Sequence, residues 1–269
     1  MKLLVFGDVY GRVGREVFSA NIARLKEKYN PDFTIANGEN LTSGRGPIEK
    51  HVLEMKAWGV DLLTSGNHIW DNENRLNGYM DREDSILIRP ANYYESDFFK
   101  VPGSGYKIIE KNGLKLLVIN LMSGVFMKDD MYNPFLKVDE ILKSLVNEKV
   151  NGIIVDFHRE TTAEIYAMTN FLDSRVSFVY GTHTHIQTND DMIFPGGTAI
   201  IGDIGMTGPL YSIIGANYEL IKNRFLTGMI RGKIDQELNG PALITGVYLE
   251  IDDNTGKTTS IEKFREIIK

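Results

Sequence analysis

Short apolar runs alternate along this chain with longer stretches in which apolar residues recur every three or four positions. Leu3–Phe6 is too short for a helix and reads as a buried strand. A glycine-punctuated turn follows, then Arg15–Tyr29, where Val17/Phe18, Asn21/Ile22, Leu25 and Tyr29 fall at helical spacing. Asp32–Ala36 and Asp61–Thr64 predict a second and a third strand. Between them Pro47 is placed to open a helix at its first turn, with Ile48, Val52 and Met55 on one face and Gly59 just past the end. Asn72–Met80 predicts a further helix. Asn112-Gly113, a dipeptide favoured in tight hairpin turns, joins Lys107–Glu110 to Leu114–Ile119, so antiparallel strands enter mid-chain. Lys137–Val146 and Thr161–Phe171 predict helices, and Gly152–Asp156 and Val176–Tyr180 predict strands. Met192–Ile201, broken by Pro195-Gly196-Gly197, suggests a second hairpin, and Leu243–Ile251 and Thr258–Phe264 read as closing strands. This rhythm is that of an α/β protein with helices flanking a sheet. With no internal repeat or linker, one domain over residues 1–269 is expected.

Composition narrows the chemistry. The chain has 269 residues, five histidines and no cysteine. Disulfides, thiolate zinc sites, iron–sulfur clusters and a cysteine nucleophile are therefore excluded. Any metal must be held by His, carboxylate, amide or water. The net charge of −6, from 30 basic and 36 acidic residues, argues against a long polyanionic partner. No apolar run approaches the roughly 18–20 residues of a membrane span. The first apolar stretch is short and meets Asp8 early, unlike a signal peptide, so the cytoplasm is the expected location.

Five strand ends deliver polar residues in the same manner. Leu3–Phe6 runs into Gly7-Asp8, Asp32–Ala36 into Asn37-Gly38-Glu39-Asn40, and Asp61–Thr64 into Ser65-Gly66-Asn67-His68. Gly152–Asp156 runs into Phe157-His158, and Val176–Tyr180 into Gly181-Thr182-His183-Thr184-His185. Ligands of open α/β sheets bind at the carboxyl ends of strands. Alternation in His183-Thr184-His185 puts both imidazoles on one side of an extended segment. Taken singly, Asp8 reads as a cap or turn former, Asn67 as a turn residue and His158 as a satisfied core histidine. Together they offer the carboxylate, amide and imidazole donors that suit manganese, iron or zinc. Two divalent ions against Asp8 and Glu39 would leave a rim of about +2, fit for a phosphate on an otherwise acidic protein. His68 is then free for proton transfer or charge stabilisation, with a hydrogen-bonding support role as its plainer reading. Asp71 reads first as a helix cap and second as a residue that orients His68. His51 lies away from every strand end and reads as structural. The loop Thr42–Gly46 either lines the approach to the rim or is simply exposed.

These segments resemble the motif series of calcineurin-like metallophosphoesterases, and more narrowly the bacterial YmdB-like branch. Gly7–Gly11, Ala36–Asn40, Arg89–Tyr93, Asp156–His158, Gly181–Thr188 and Gly202–Pro209 carry the likeness over most of the chain. The resemblance implies a four-layer αββα sandwich with two central mixed sheets flanked by helices. It implies a di-metal phosphodiesterase acting on cyclic nucleotides, with 2′,3′-cyclic nucleotides cut to 3′-phosphates by a metal-activated hydroxide. Carried over by position, Asp8, Asn40 and His185 would hold one metal and Asn67, His158 and His183 the other. Glu39 would bridge them and His68 would be the catalytic histidine. The ions expected are iron, with manganese or zinc as alternatives. Tyr10 stands where the wider superfamily has a His, and Asn40 looks like the substitute ligand. Arg159 and Thr162 look atypical even for the branch, which bears on substrate preference. The partner expected is a small phosphodiester substrate, without long nucleic acid or membrane, and homo-oligomerisation is left open.

Other readings differ in what they explain. Gly11-Arg12-Val13-Gly14 lacks the spacing of a dinucleotide fingerprint, and Asp8 would repel a pyrophosphate. A metal-binding regulatory scaffold, a phosphomonoesterase and a phospholipase of the same fold are separable by turnover.

Overall fold

A computed structural model describes residues 1–76, 78–229 and 235–269. One six-stranded sheet takes β1 (Lys2–Val9), β2 (Phe33–Asn37), β3 (Leu62–Thr64), β10 (Met206–Pro209), β11 (Ala242–Ile251) and β12 (Thr258–Ile268), in the order β12-β11-β10-β1-β2-β3. The other takes β4 (Tyr106–Lys111), β5 (Leu114–Met122), β6 (Gly152–His158), β7 (Phe178–Thr182), β8 (Met192–Ile193) and β9 (Ala199–Ile201), in the order β4-β5-β6-β7-β9-β8. Both are mixed: β1, β2 and β3 run parallel, as do β5, β6, β7 and β9, while β4, β8, β11 and β12 pair antiparallel. The helices are α1 (Gly11–Tyr29), α2 (Glu49–Ala57), α3 (Pro134–Ser144), α4 (Thr162–Leu172) and α5 (Tyr218–Thr227).

Strand alternation builds the layers. Leu4 and Phe6 of β1 pack with Phe18, Ile22 and Leu25 of α1 and with Val52 and Met55 of α2. Their neighbours Leu3 and Val5 face the other way and join Phe33, Ile35, Ile154 and Phe178 between the two sheets. Leu117, Ile119, Val155 and Phe157 turn to the opposite side and meet Val138, Ile141, Ile165 and Met168 of α3 and α4. β1 is therefore apolar without interruption from Leu3 to Phe6, since both of its faces are covered. The result is the αββα sandwich.

β1 changes partners along its length. Lys2–Phe6 pairs antiparallel with β11, and Asp8–Val9 pairs parallel with β10. Gly7 sits at the changeover, and a Cβ there would overlap the carbonyl oxygen of Gly205. On the β2 side the register slips at the same place: Phe6 faces Ala36 and Asp8 faces Asn37. The extra residue re-aims Asp8 at the carboxyl end of the sheet.

Several boundaries differ from the sequence pattern. Helix α1 begins at Gly11, four residues before Arg15, and Tyr10 is its N-cap without a side-chain bond. Helix α2 begins at Glu49, so Pro47 precedes the Ile48 cap and is not in the first turn. The stretch Asn72–Met80 is not one helix: Glu73–Arg75 and Tyr79–Asp81 form separate 3-10 turns, with Gly78 left-handed at φ 68 before the second. Asn77, within that stretch, lies outside the described residues. Strand β10 and helix α5 have no counterpart in the sequence pattern. Among the described residues no helix is long and apolar enough to cross a membrane.

Candidate metal centre

The parallel strands of both sheets end at one edge, and the predicted side chains meet there. Asp8 closes β1, Glu39 and Asn40 follow β2, and Asn67 and His68 follow β3. His158 closes β6, and His183 and His185 follow β7. Two groups of side chains are close enough to hold an ion each: Asp8, Glu39 and His185, and Glu39, His158 and His183. Glu39 belongs to both.

The amides join these groups through the imidazoles. Asn40 Oδ1 lies 3.1 Å from His185 Nε2, and Asn67 Oδ1 lies 2.9 Å from His158 Nε2. Glu39 Oε2 is 3.2 Å from His158 Nε2, and Asp8 Oδ1 is 3.8 Å from His185 Nε2. Tyr10 places its ring edge-on to His185 with centroids 5.5 Å apart. Its phenol is pushed up to about 12 by burial and stays neutral.

Each of the three histidines has a ring nitrogen engaged by a neighbour outside the two groups. His158 Nδ1 is 2.9 Å from Thr182 Oγ1, His183 Nε2 is 3.0 Å from Glu160 Oε2, and His185 Nδ1 donates to Ile214 O at 2.8 Å. Such partners fix ring orientation and tautomer in metal-binding histidines. The segment carrying the last two is bent into uncommon backbone, with His183 at φ 99 and His185 at φ 65. It is held there by Asp203, whose Oδ2 accepts from Thr184 N at 3.0 Å and Thr184 Oγ1 at 2.7 Å. Asp8 Oδ2 accepts from His183 N at 3.3 Å.

Electrostatics and shape suit a cation. Burial, reinforced by Asp203, raises the Asp8 carboxyl well above the usual range, and burial with Asp8 nearby does the same to Glu39. Burial pushes the imidazoles down, His183 to about 4 and His158 and His185 in the same direction. Neutral imidazoles, two buried carboxyls and two amide oxygens thus converge, mainly acceptors with no ammonium or guanidinium in the set. Asp8 Oδ1 is buried without a hydrogen-bond partner among the described residues. A Cβ on Gly66 would overlap Glu39 Oε2 and His158 Nε2, so glycine leaves open the space that these atoms face. The donor set fits transition-metal ions.

His68 stands beside this cluster. Its backbone N donates to Glu39 Oε2 at 3.3 Å, and its Nδ1 is 2.9 Å from Asp71 Oδ2. Burial lowers the imidazole pKa, and the Asp71 contact opposes the shift. Asp71 therefore orients His68, the second of its two sequence readings, and is not a helix cap. Arg45 Nη1 reaches the same Asp71 oxygen at 3.5 Å, which brings the Thr42–Gly46 loop to the rim. His51 belongs to neither ion-holding group and pairs with Thr42 Oγ1 at 2.8 Å.

The supporting residues escape the sequence pattern. Asp156 reads as the end of a strand and as part of the Asp156–His158 motif, with no role of its own, although its i, i+2 spacing from His158 puts both on one face. Thr182 and Asp203 lie within the motifs Gly181–Thr188 and Gly202–Pro209 but carry no sign of these contacts, and Glu160 and the Ile214 carbonyl lie outside every motif.

Comparison with known proteins agrees with the fold and the motifs. The YmdB-like protein family matches residues 4–264. A 2′,3′-cyclic-nucleotide 2′-phosphodiesterase of Bacillus subtilis (strain 168) is 40% identical over 264 residues, 98% of this chain and 96% of that protein. The crystal structure of a novel phosphatase from Mycoplasma pneumoniae superposes with a TM-score of 0.91 at 36% identity, covering 100% of this chain and 94% of the other. A 5′-nucleotidase precursor from Thermus thermophilus, at 12% identity and a TM-score of 0.60, shares the fold over 54% of its own length and all of this chain. The fold is that of the metallophosphoesterases, and the chain belongs to the YmdB-like family.

Proposed function

We propose that this protein is a metal-dependent phosphodiesterase that hydrolyses 2′,3′-cyclic nucleotides to 3′-phosphates. The observation that carries the reading is the shared position of Glu39 between two ion-holding groups. Asp8, Asn40 and His185 would hold one ion, and Asn67, His158 and His183 the other. Iron, manganese and zinc all suit these donors. Bound there, the ions would neutralise phosphoryl oxygens and make water acidic enough to attack phosphorus at neutral pH.

The chain's own groups do the rest. Glu39 and Asp8 supply the charge that retains the ions, and Gly66 keeps the space clear. Water adds across the bond between phosphorus and O2′: its oxygen goes to phosphorus and a proton goes to O2′. With Nδ1–H held by Asp71, His68 gives its Nε2 proton to O2′ as an imidazolium and is reprotonated by the proton that the attacking water releases. The kinship with a 2′,3′-cyclic-nucleotide 2′-phosphodiesterase supports this substrate class.

The test is a substrate panel on purified protein after elemental analysis. Metal-dependent conversion of 2′,3′-cyclic AMP to the 3′-phosphate, lost in His68→Ala, is expected. Turnover of monoesters or phospholipids in place of cyclic nucleotides would replace the substrate class. Bound metal without metal-dependent turnover would leave a scaffold.

A further inference from the structure

Below the metal centre lies a carboxylate that the proposed chemistry does not use. Asp156 is fully buried on β6, two residues before His158. Its hydrogen-bond partners are neutral donors from three other strands: Thr182 Oγ1 donates to Oδ1 at 2.7 Å, Asn37 Nδ2 donates to Oδ2 at 3.1 Å, and Thr64 Oγ1 also donates to Oδ2. β2 and β3 belong to one sheet and β6 and β7 to the other, so the carboxylate ties the sheets together directly beneath the site.

Counting protons along this chain of contacts fixes a tautomer. Three donors around it call for the ionised carboxylate, which can only accept, and Thr182 has a single hydroxyl proton. With that proton given to Asp156, the lone pairs of Thr182 Oγ1 face His158 Nδ1 at 2.9 Å. Only an Nδ1–H satisfies that contact. A neutral imidazole with its proton on Nδ1 turns the lone pair of Nε2 towards two further acceptors, Glu39 Oε2 and Asn67 Oδ1, a convergence that a cation between them satisfies. A proton on Nε2 would instead leave Nδ1 and Thr182 Oγ1 opposed, lone pair to lone pair.

We propose that Asp156 and Thr182 are positioning residues that hold His158 in the Nδ1–H tautomer and so present Nε2 to the ion. The arrangement is a carboxylate–histidine–metal relay with a hydroxyl interposed. It rests on His158 being a metal ligand, as in the function proposed above. The other arrangements at the centre differ: His183 meets Glu160 directly, and His185 meets a backbone carbonyl.

Thr182→Val is the decisive variant, because it keeps the β-branched shape and removes the hydroxyl; Thr182→Ser restores the hydroxyl, and Asp156→Asn serves as a second perturbation. Two readouts are used at pH 8.5: the tautomer of His158 from imidazole ¹⁵N shifts of zinc-bound protein, and zinc affinity by chelator competition. Wild type should show Nδ1–H at His158, and Thr182→Val should shift it towards Nε2–H and weaken zinc by about 10–100-fold. Thr182→Ser should match wild type in both. Unchanged tautomer and affinity in a folded Thr182→Val overturn the proposal, as does an affinity loss shared equally by Thr182→Ser with no change of tautomer. Wild type that binds no zinc would instead overturn the metal-centre reading beneath it.

Discussion

Glu39 Oε2 lies 3.2 Å from His158 Nε2, and the same carboxylate also groups with Asp8 and His185. One side chain thus joins the ends of the two sheets, since Glu39 follows β2 and His158 closes β6. Replacing Glu39 with Gln removes the shared charge while keeping its shape. A wild type carrying about two ions, as in two-metal sites generally, should lose at least one in Glu39→Gln. Elemental analysis of the purified proteins decides this, and full retention of metal and rate would remove Glu39 from the shared position.

Gly66 gives a steric counterpart. A Cβ there would overlap Glu39 Oε2 and His158 Nε2, while Gly66 has no need of left-handed backbone. Gly66→Ala should therefore fold, shown by an unchanged circular dichroism spectrum, yet bind less metal and lose at least about 100-fold in rate, the scale of a misplaced reacting group.

His68→Ala should separate chemistry from metal binding. The imidazole contacts Asp71, and its backbone N contacts Glu39. Loss of a positioned proton donor costs about 10²–10⁴-fold in rate. Metal content should remain that of wild type. Asp71→Asn, which leaves His68 in place but weakens its orientation, should cost less. Steady-state rates alongside metal analysis check both.

The metal-free protein should become less stable as pH rises above about 6.5. Asp8 and Glu39 have raised pKa values, so the native state keeps protons that the unfolded chain has already lost. Asp156, raised by burial to about 7, acts likewise. Each costs stability as pH rises from the unfolded carboxyl value to its folded value. The histidines act oppositely: their lowered values add stability as pH rises from about 4, the figure for His183, to 6.5, and nothing beyond. The two trends offset below 6.5, and only the carboxyls count above it. Thermal melts with chelator should fall as pH rises from 6.5 through about 7, the folded value of Asp156, and added metal should reverse the fall.

Gly7→Ala tests the bend that aims Asp8. The added methyl meets Gly205 O across the boundary between β1 and β10. Overpacking of this kind destabilises by about 1–3 kcal/mol. Urea melts should show that loss, with reduced metal retention as Asp8 shifts.

Much of this protein is legible residue by residue. The apolar run Leu3–Phe6, the helical spacing of Phe18, Ile22 and Leu25, and the Asn112-Gly113 turn encode local structure, because side-chain period and turn geometry are properties of neighbours in sequence. The polar strand ends are legible for the same reason, and the parallel strands fix that they share an edge. Helix α5 escapes the pattern although Asn217 caps it, with its side chain accepting from Leu220 N at 3.3 Å, and left-handed Gly228 ends it. Ile221 is its one buried residue, so no apolar stripe marks it. Strand β10, reading Met-Thr-Gly-Pro, has little strand propensity of its own and exists through pairing with β1 and β11.

Residue types and strand rhythm by themselves put Asp8, Glu39, Asn40, Asn67, His68, His158, His183 and His185 at strand ends. Only the tertiary structure decided that Asp156 reaches His158 through Thr182 and that Asp71 turns to His68. Those relations join residues such as Asp156 and Thr64, 92 positions apart, whose approach depends on two sheets packing face to face. No local pattern encodes such a distance; the buried apolar residues between the sheets set it.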